Sequence, residues 1–170
     1  WDVVVDTCGF VPRIVRQSAE LLAGRVGRYI FVSSISAFAD FSAPGLTEAA
    51  PRAELTDATS EDVQADYGAL KAACEDVVAE VYGARGCSVR PGLIVGPHDP
   101  TGRFTYWPTR VADGGAILAP GSPGRPVQFV DARDLVEWIL RLGDTGGSGT
   151  YNAVAPPTTF GELVAVCVAV

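Results

Sequence analysis

Two short runs, Val3-Val4-Val5 and Tyr29-Ile30-Phe31-Val32, are apolar along their whole length instead of at every second residue. A strand with one wet face alternates, so an unbroken run means that both faces are covered. Strands of that kind lie in parallel sheets and need a helix between them to bring the chain back. The connecting stretch supplies one. Pro12 opens a helix through about Ala23, with Val15, Ala19 and Leu22 on one face and Gly24 as its stop.

The same rhythm continues downstream. Residues 36–60 are rich in Ala, Pro, Asp and Thr without a clear period, and a loop that long in a compact domain is usually functional or mobile. A long helix is predicted from near Ser60 or Glu61 to about Tyr82, with Leu70, Ala73, Val77, Val78 and Val81 as its buried stripe. Gly86 leads into a strand, Cys87-Ser88-Val89-Arg90, and a Pro91-Gly92 corner. After the turn cluster Gly96-Pro97-His98-Asp99-Pro100 come a helix from about Phe104 to Ala112 and a Gly/Pro-rich stretch over 114–126. A strand at Val127-Gln128-Phe129-Val130 then runs into Asp131, the expected N-cap of a helix reaching Leu142. Residues 143–149 read as a flexible connection to a strand over 150–154. Thr158 or Thr159 caps a last apolar helix that includes Leu163 to Val170. The whole is an α/β doubly wound parallel sheet.

Composition narrows the function. A profile of 48% apolar and 19% charged residues over 170 positions suits one soluble domain. The net charge of −7, with no cluster of cations, speaks against a nucleic-acid partner. No apolar run is long enough to span a membrane and there is no signal-peptide pattern, so a cytoplasmic protein is expected. Cys8, Cys74, Cys87 and Cys167 have no C-x-x-C spacing and are read as buried thiols, not metal ligands or a disulfide framework. His98 is the sole histidine, which leaves no His-rich metal site and weakens any Ser-His-Asp proposal. Both ends enter apolar elements directly, so the chain is expected to be part of a longer one.

Within this frame one pair of residues carries chemistry. Of thirteen Lys plus Arg, Lys71 is the only lysine, and it follows Tyr67 by four positions. Residues four apart share a helix face, so a phenol and an ammonium can reach the same cleft. A free phenol is a poor base at neutral pH. A positive charge about 6 Å away, at an effective dielectric near 20, favours the phenolate by roughly 3 kcal/mol. A compact ammonium supplies that charge without the planar fork of Arg.

Four pieces, in order, resemble the extended short-chain dehydrogenase/reductase family, the NAD-dependent epimerase/dehydratase group. They are Phe31-Val32-Ser33-Ser34-Ile35-Ser36, Tyr67-x-x-x-Lys71, Arg90-Pro91-Gly92-Leu93-Ile94-Val95-Gly96-Pro97, and Gln128-Phe129-Val130-Asp131-Ala132-Arg133-Asp134-Leu135. The resemblance implies a Rossmann-like doubly wound domain over residues 1–95, truncated at its N-terminal side. It implies a substrate-binding region over 96–170, interleaved with the last strand and helices. By the same resemblance the cofactor is NAD or NADP, Tyr67 exchanges a proton with the substrate, and Lys71 holds the nicotinamide ribose. Ser34 orients the reacting oxygen, selected over Ser33 and Ser36 by the following Ala37-Phe38-Ala39. Thr7, Cys8, Gly9, Ser33, Pro91 and Gly92 join the cofactor contacts. Ser36, Arg103, Arg110 and Arg125 are the substrate-side candidates, and a homodimer through the Tyr67 helix is the expected assembly.

Two departures qualify the resemblance. The family's Gly-rich phosphate loop does not occur here, so this stretch alone is expected to bind cofactor weakly. Ile35-Ser36 stands where sugar 4,6-dehydratases carry Asp-Glu, which favours a reductase or an epimerase on a small or nucleotide-sugar-like substrate. A non-catalytic nucleotide-binding sensor or scaffold of the same fold is the alternative.

Overall fold

The computed structural model describes residues 1–169. In chain order the elements are β1 (Val3–Asp6), α1 (Pro12–Leu22), β2 (Arg28–Val32), α2 (Tyr67–Tyr82), β3 (Gly86–Pro91), β4 (Leu93–Val95), α3 (Tyr106–Ala112), β5 (Pro126–Val127), β6 (Phe129–Asp131), α4 (Ala132–Thr145), β7 (Gly149–Ala153), β8 (Thr158–Thr159) and α5 (Phe160–Ala169). They form two compact units, residues 1–92 with 135–153 and residues 93–134 with 154–170.

The first unit is built on a four-stranded sheet in the order β1-β2-β3-β7, every pair parallel. The alternation within β2 shows why its run is apolar throughout. Tyr29 and Phe31 face α1 and α2, where they join Val15, Ala19, Val77, Val78 and Tyr82 in one core. Ile30 faces the other way, towards Gly143 of α4. Each such side chain, once buried, contributes about 1.5–3 kcal/mol. Helix α4 lays Leu135, Ile139 and Leu142 inward and sets Trp138 edge-on to Tyr151 of β7, with ring centroids 5.6 Å apart.

The second unit pairs β4 with β6 in parallel and β5 with β8 antiparallel. Trp107 of α3 meets Phe160 of α5 at 4.7 Å, and Phe104 meets Phe129 at 4.9 Å. Helix α5 opens with reciprocal capping. Thr159 Oγ1 accepts from the Glu162 N–H at 3.2 Å, and Glu162 Oε2 accepts from the Thr159 N–H at 2.8 Å.

Several sequence expectations are corrected. Helix α2 begins at Tyr67 and not near Ser60, because the Asp62 carboxylate accepts from the N–H groups of Gln64 and Ala65 and holds that stretch as a turn. The strand expected over Val127–Val130 is two pieces, β5 and β6, which pair with different partners. Residues 143–145 continue α4, with Gly143 packed against Val3 and Ile30. In α2 the stripe is wider than expected: Ala69, Lys71, Ala72, Cys74, Glu75 and Tyr82 are also buried, while Ala73 and Val81 are half-buried. Cys8 is exposed, not buried, and Cys167 is half-buried. Val170, predicted to be the last residue of the final helix, lies outside the described residues.

The loop over 36–60 is tied down rather than free. Ala39 and Ala53 bond back to Pro51 and Ala37, Arg52 pairs with Asp76 at 2.8 Å, and Glu48 accepts from the Asn152 N–H at 2.7 Å. That last bond holds the Glu48 carboxyl below its usual range.

The core also predicts a pH response. Burial pushes the Cys74 thiol up to about 12 and the Cys87 thiol up to about 11, from an ordinary value of 9.0. A folded-state value above the unfolded one gives stability that is complete below pH 9 and is lost as pH rises through 9 to 12. Each thiol should cost on the order of 1 kcal/mol per pH unit in that window. Denaturation midpoints at pH 8, 10 and 11 should fall steadily, and less steeply in Cys74→Ala. Equal slopes in the two proteins would contradict this.

Candidate active site

Helix α2 starts with Tyr67, and the residue after it explains how the helix meets the end of β2. A Cβ on Gly68 would stand 2.2 Å from the Ser36 carbonyl oxygen, so the turn over Ser34–Ala37 rests directly on the helix's first turn. Within that turn Ser34 Oγ accepts from the Ser36 N–H at 3.1 Å. Its own hydrogen is left free to donate.

One turn further on, Lys71 is only 2% exposed. Its Nζ donates to the Val32 carbonyl at 2.7 Å and to the Gly9 carbonyl at 2.8 Å, which ties the helix to the C-terminal ends of β2 and β1. The ammonium lies 4.2 Å from the Phe31 ring centre and 5.3 Å from that of Phe10. Burial lowers its pKa below the ordinary lysine value, and the neighbouring Cys74, Asp6 and Glu75 groups oppose the shift. Tyr67 is half-buried and its ring is 6.4 Å from that of Phe10. Phenol and amine therefore share a neighbour, Phe10, a residue that sequence reasoning passed over.

The remaining rim positions gather at the same ends of the sheet. Gly9 is buried where a Cβ would stand 2.6 Å from Val15 Cγ2 and 2.7 Å from Phe31 Cε2. Thr7 and Cys8 beside it are exposed. Asp6 accepts from the Cys8 N–H at 3.0 Å and from the Tyr29 hydroxyl at 2.6 Å, and burial raises the Tyr29 phenol. Pro91 ends β3 opposite Ala153, with Gly92 next to it. Ser33 is different: its hydroxyl is buried and donates to Glu75 Oε1 at 2.6 Å.

Sequence reasoning missed Glu75 and Arg90. Arg90 Nε donates to Glu75 Oε1 at 2.8 Å and Nη2 to Oε2 at 2.6 Å, with both side chains almost wholly buried. A carboxylate four residues after Lys71, on an otherwise apolar stripe, was the available signal.

The arginine candidates lie in the second unit. Arg103 and Arg125 line a pocket of about 200 Å³ walled by Phe104, Trp107, Phe129 and Phe160. Arg110 is elsewhere, donating to the carbonyls of Gly114 and Ala116.

The residues present fit a nucleotide cofactor at the sheet rim. An ammonium has three donors, two of which are used by Gly9 and Val32, so one is left for a ribose hydroxyl. Ligands of open parallel sheets collect at this edge. Among the described residues no group of His, Cys, Asp or Glu could hold a metal ion, and no helix is long and apolar enough to cross a membrane.

A parallel doubly wound sheet with a Tyr-x-x-x-Lys helix at its rim defines a Rossmann-like domain of the short-chain dehydrogenase/reductase kind. The chain belongs to the NAD dependent epimerase/dehydratase family, whose model matches residues 12–153. A search of curated proteins finds no match. Among solved structures, dTDP-4-dehydrorhamnose reductase from Clostridium acetobutylicum superposes with a TM-score of 0.73 at 12% identity, over 99% of this chain and 61% of that one. The dTDP-glucose 4,6-dehydratase of Bacillus anthracis, in complex with NAD, gives 0.72 at 16% identity, over 99% and 56%. UDP-N-acetylglucosamine 4-epimerase from Methanobrevibacter ruminantium, in complex with UDP-N-acetylmuramic acid, gives 0.71 at 16% identity, over 97% and 59%. At these identities the likeness is one of fold, and the chain spans about six-tenths of the length of each.

Proposed function

We propose that this chain carries the proton-transfer residues of an NAD(P)-dependent reductase or epimerase that acts on a hydroxyl or carbonyl carbon of a nucleotide-sugar-like substrate. The reading rests on one observation: Lys71 is buried and anchored at the ends of β1 and β2, one helical turn from Tyr67. When bound, the nicotinamide supplies or accepts a hydride. Tyr67 Oη gives the proton to a carbonyl oxygen or takes it from a hydroxyl. The Lys71 ammonium offers its third donor to a ribose hydroxyl. Ser34 Oγ donates to the reacting oxygen and orients it.

In the second unit, Arg103 and Arg125 are proposed to grip substrate phosphate, with the aromatic walls of their pocket available to stack on a planar ring. Ile35-Ser36 places no carboxylate after Ser34, which argues for reduction or epimerisation over elimination of water. A cytoplasmic setting, where thiols stay reduced, is part of this proposal.

In the whole protein, Tyr67→Phe should lower turnover by about 10²–10⁴-fold, the usual worth of a positioned proton-transfer group, while NADH or NADPH binding stays within a few-fold. Turnover within a few-fold of wild type would sink the assignment. The competing reading, a nucleotide-binding sensor or scaffold, draws on the inward hydrogen bonds of Lys71, which a purely structural tether would also make. Titration with both cofactors, followed by an assay for carbonyl or alcohol conversion, separates them: a sensor binds without turnover.

A further inference from the structure

We infer that Glu75, clamped by Arg90 and bonded to Ser33, is a positioning residue that fixes how far helix α2 sits along the end of β2, and thereby places Tyr67, Lys71 and Ser34 relative to one another. Tyr67, Lys71 and Glu75 succeed each other at single-turn intervals, so they lie on one face of the helix. Two of the three grip consecutive residues of the strand end. Lys71 Nζ holds the Val32 carbonyl at 2.7 Å, and Glu75 Oε1 holds the Ser33 hydroxyl at 2.6 Å. A slide of α2 by one residue, about 1.5 Å along its axis, would break both bonds. The next residue on the strand side is Ser34, joined directly to the Ser33 that Glu75 holds.

Arg90 completes the device. Its two-pronged contact fixes the plane of the Glu75 carboxylate, and its place on β3 is immediately before Pro91-Gly92. The same guanidinium donates to the Glu48 carbonyl at 3.4 Å and stacks 4.8 Å from Phe38, and Arg52 Nη1 stands 3.5 Å from Glu75 Oε2. One carboxylate therefore joins α2, the ends of β2 and β3, and the loop over 46–52. Stability alone does not call for such a pair, because apolar side chains of similar volume often serve as well. Ionic forks supply a fixed direction that apolar contacts lack. The consequence for turnover rests on the reading proposed above, but the geometry can be tested without cofactor or substrate.

Because Lys71 is the only lysine, the chain labelled with ¹³C at lysine Cε gives a single side-chain signal from the site. The Ser36 amide, donor to Ser34 Oγ, reports the other side. Ser33→Ala removes one hydrogen bond and leaves the Glu75–Arg90 pair in place. Glu75→Gln removes the charge. Glu80→Gln, also on α2 but at an exposed ion pair with Arg16 of α1, is the control. The first two variants should keep the circular dichroism of the wild type, move the Lys71 signal clear of its wild-type position, and raise Ser36 amide exchange by about tenfold. The control should move neither. If Ser33→Ala and Glu75→Gln fold with both signals superimposed on wild type, or if Glu80→Gln moves them as far, the positioning role is wrong. Should Glu75→Gln fail to fold, Ser33→Ala decides alone. A negative result would remove the clamp and leave the role of Tyr67 standing, since turnover is not measured.

Discussion

Replacing Arg90 with leucine is expected to cost the chain about 3–5 kcal/mol, the usual penalty for stranding one partner of a buried ion pair. Glu75 and Arg90 have side-chain exposures of 3% and 2%, so water cannot take over the lost contacts. Arg52, 3.5 Å from the same carboxylate and itself partly exposed, can swing in and hold the loss towards the lower end. Domains of this size are stable by about 5–15 kcal/mol, so the variant should be largely unfolded at modest denaturant. Arg90→Leu with Glu75→Leu should recover most of the loss, falling short by about 1–3 kcal/mol because the Ser33 hydroxyl is left without an acceptor. Urea midpoints for the three proteins would check this. A single variant within 1 kcal/mol of wild type would show the pair to be wetter than its burial implies.

Gly68→Ala has the second large effect, with a sign opposite to the usual one. Within a helix this change normally gains about 0.5–1 kcal/mol. Here the new Cβ would stand 2.2 Å from the Ser36 carbonyl oxygen and 3.1 Å from its carbon, both backbone atoms that cannot rotate aside. The turn carrying Ser34 must lift by an ångström or more, at a cost on the order of 1–3 kcal/mol. The net expectation is destabilisation. On the proposed function, a misplacement of that size in the whole protein should lower turnover by roughly 100-fold, with a smaller change in cofactor affinity. A Gly68→Ala chain more stable than wild type would mean that the turn yields freely.

What could be read from the sequence was local. The apolar run of β2 announces coverage on both faces because Tyr29, Ile30 and Phe31 each need a neighbour, whichever way they point. Tyr67 and Lys71 are legible because four-residue spacing needs no knowledge of the rest of the fold. The start of α2 is not, since the Asp62 carboxylate competes for the same N–H groups that a helix would use. Nor is the break between β5 and β6: each piece is decided by a distant strand, β8 for one and β4 for the other. Ser33 looked like a rim hydroxyl until Glu75, forty-two residues away, appeared beneath it. Contacts across such separations leave only faint marks, here a single carboxylate in an apolar stripe.

The burial of the only lysine has a practical side. With Lys71 only 2% exposed, the one lysine amine of the folded chain is shielded from reagents in solution. Ester dyes and amine-coupling surfaces should therefore leave Lys71 unmodified while the fold is intact. Modification at Lys71 would report opening of the wall between α2 and the strand ends.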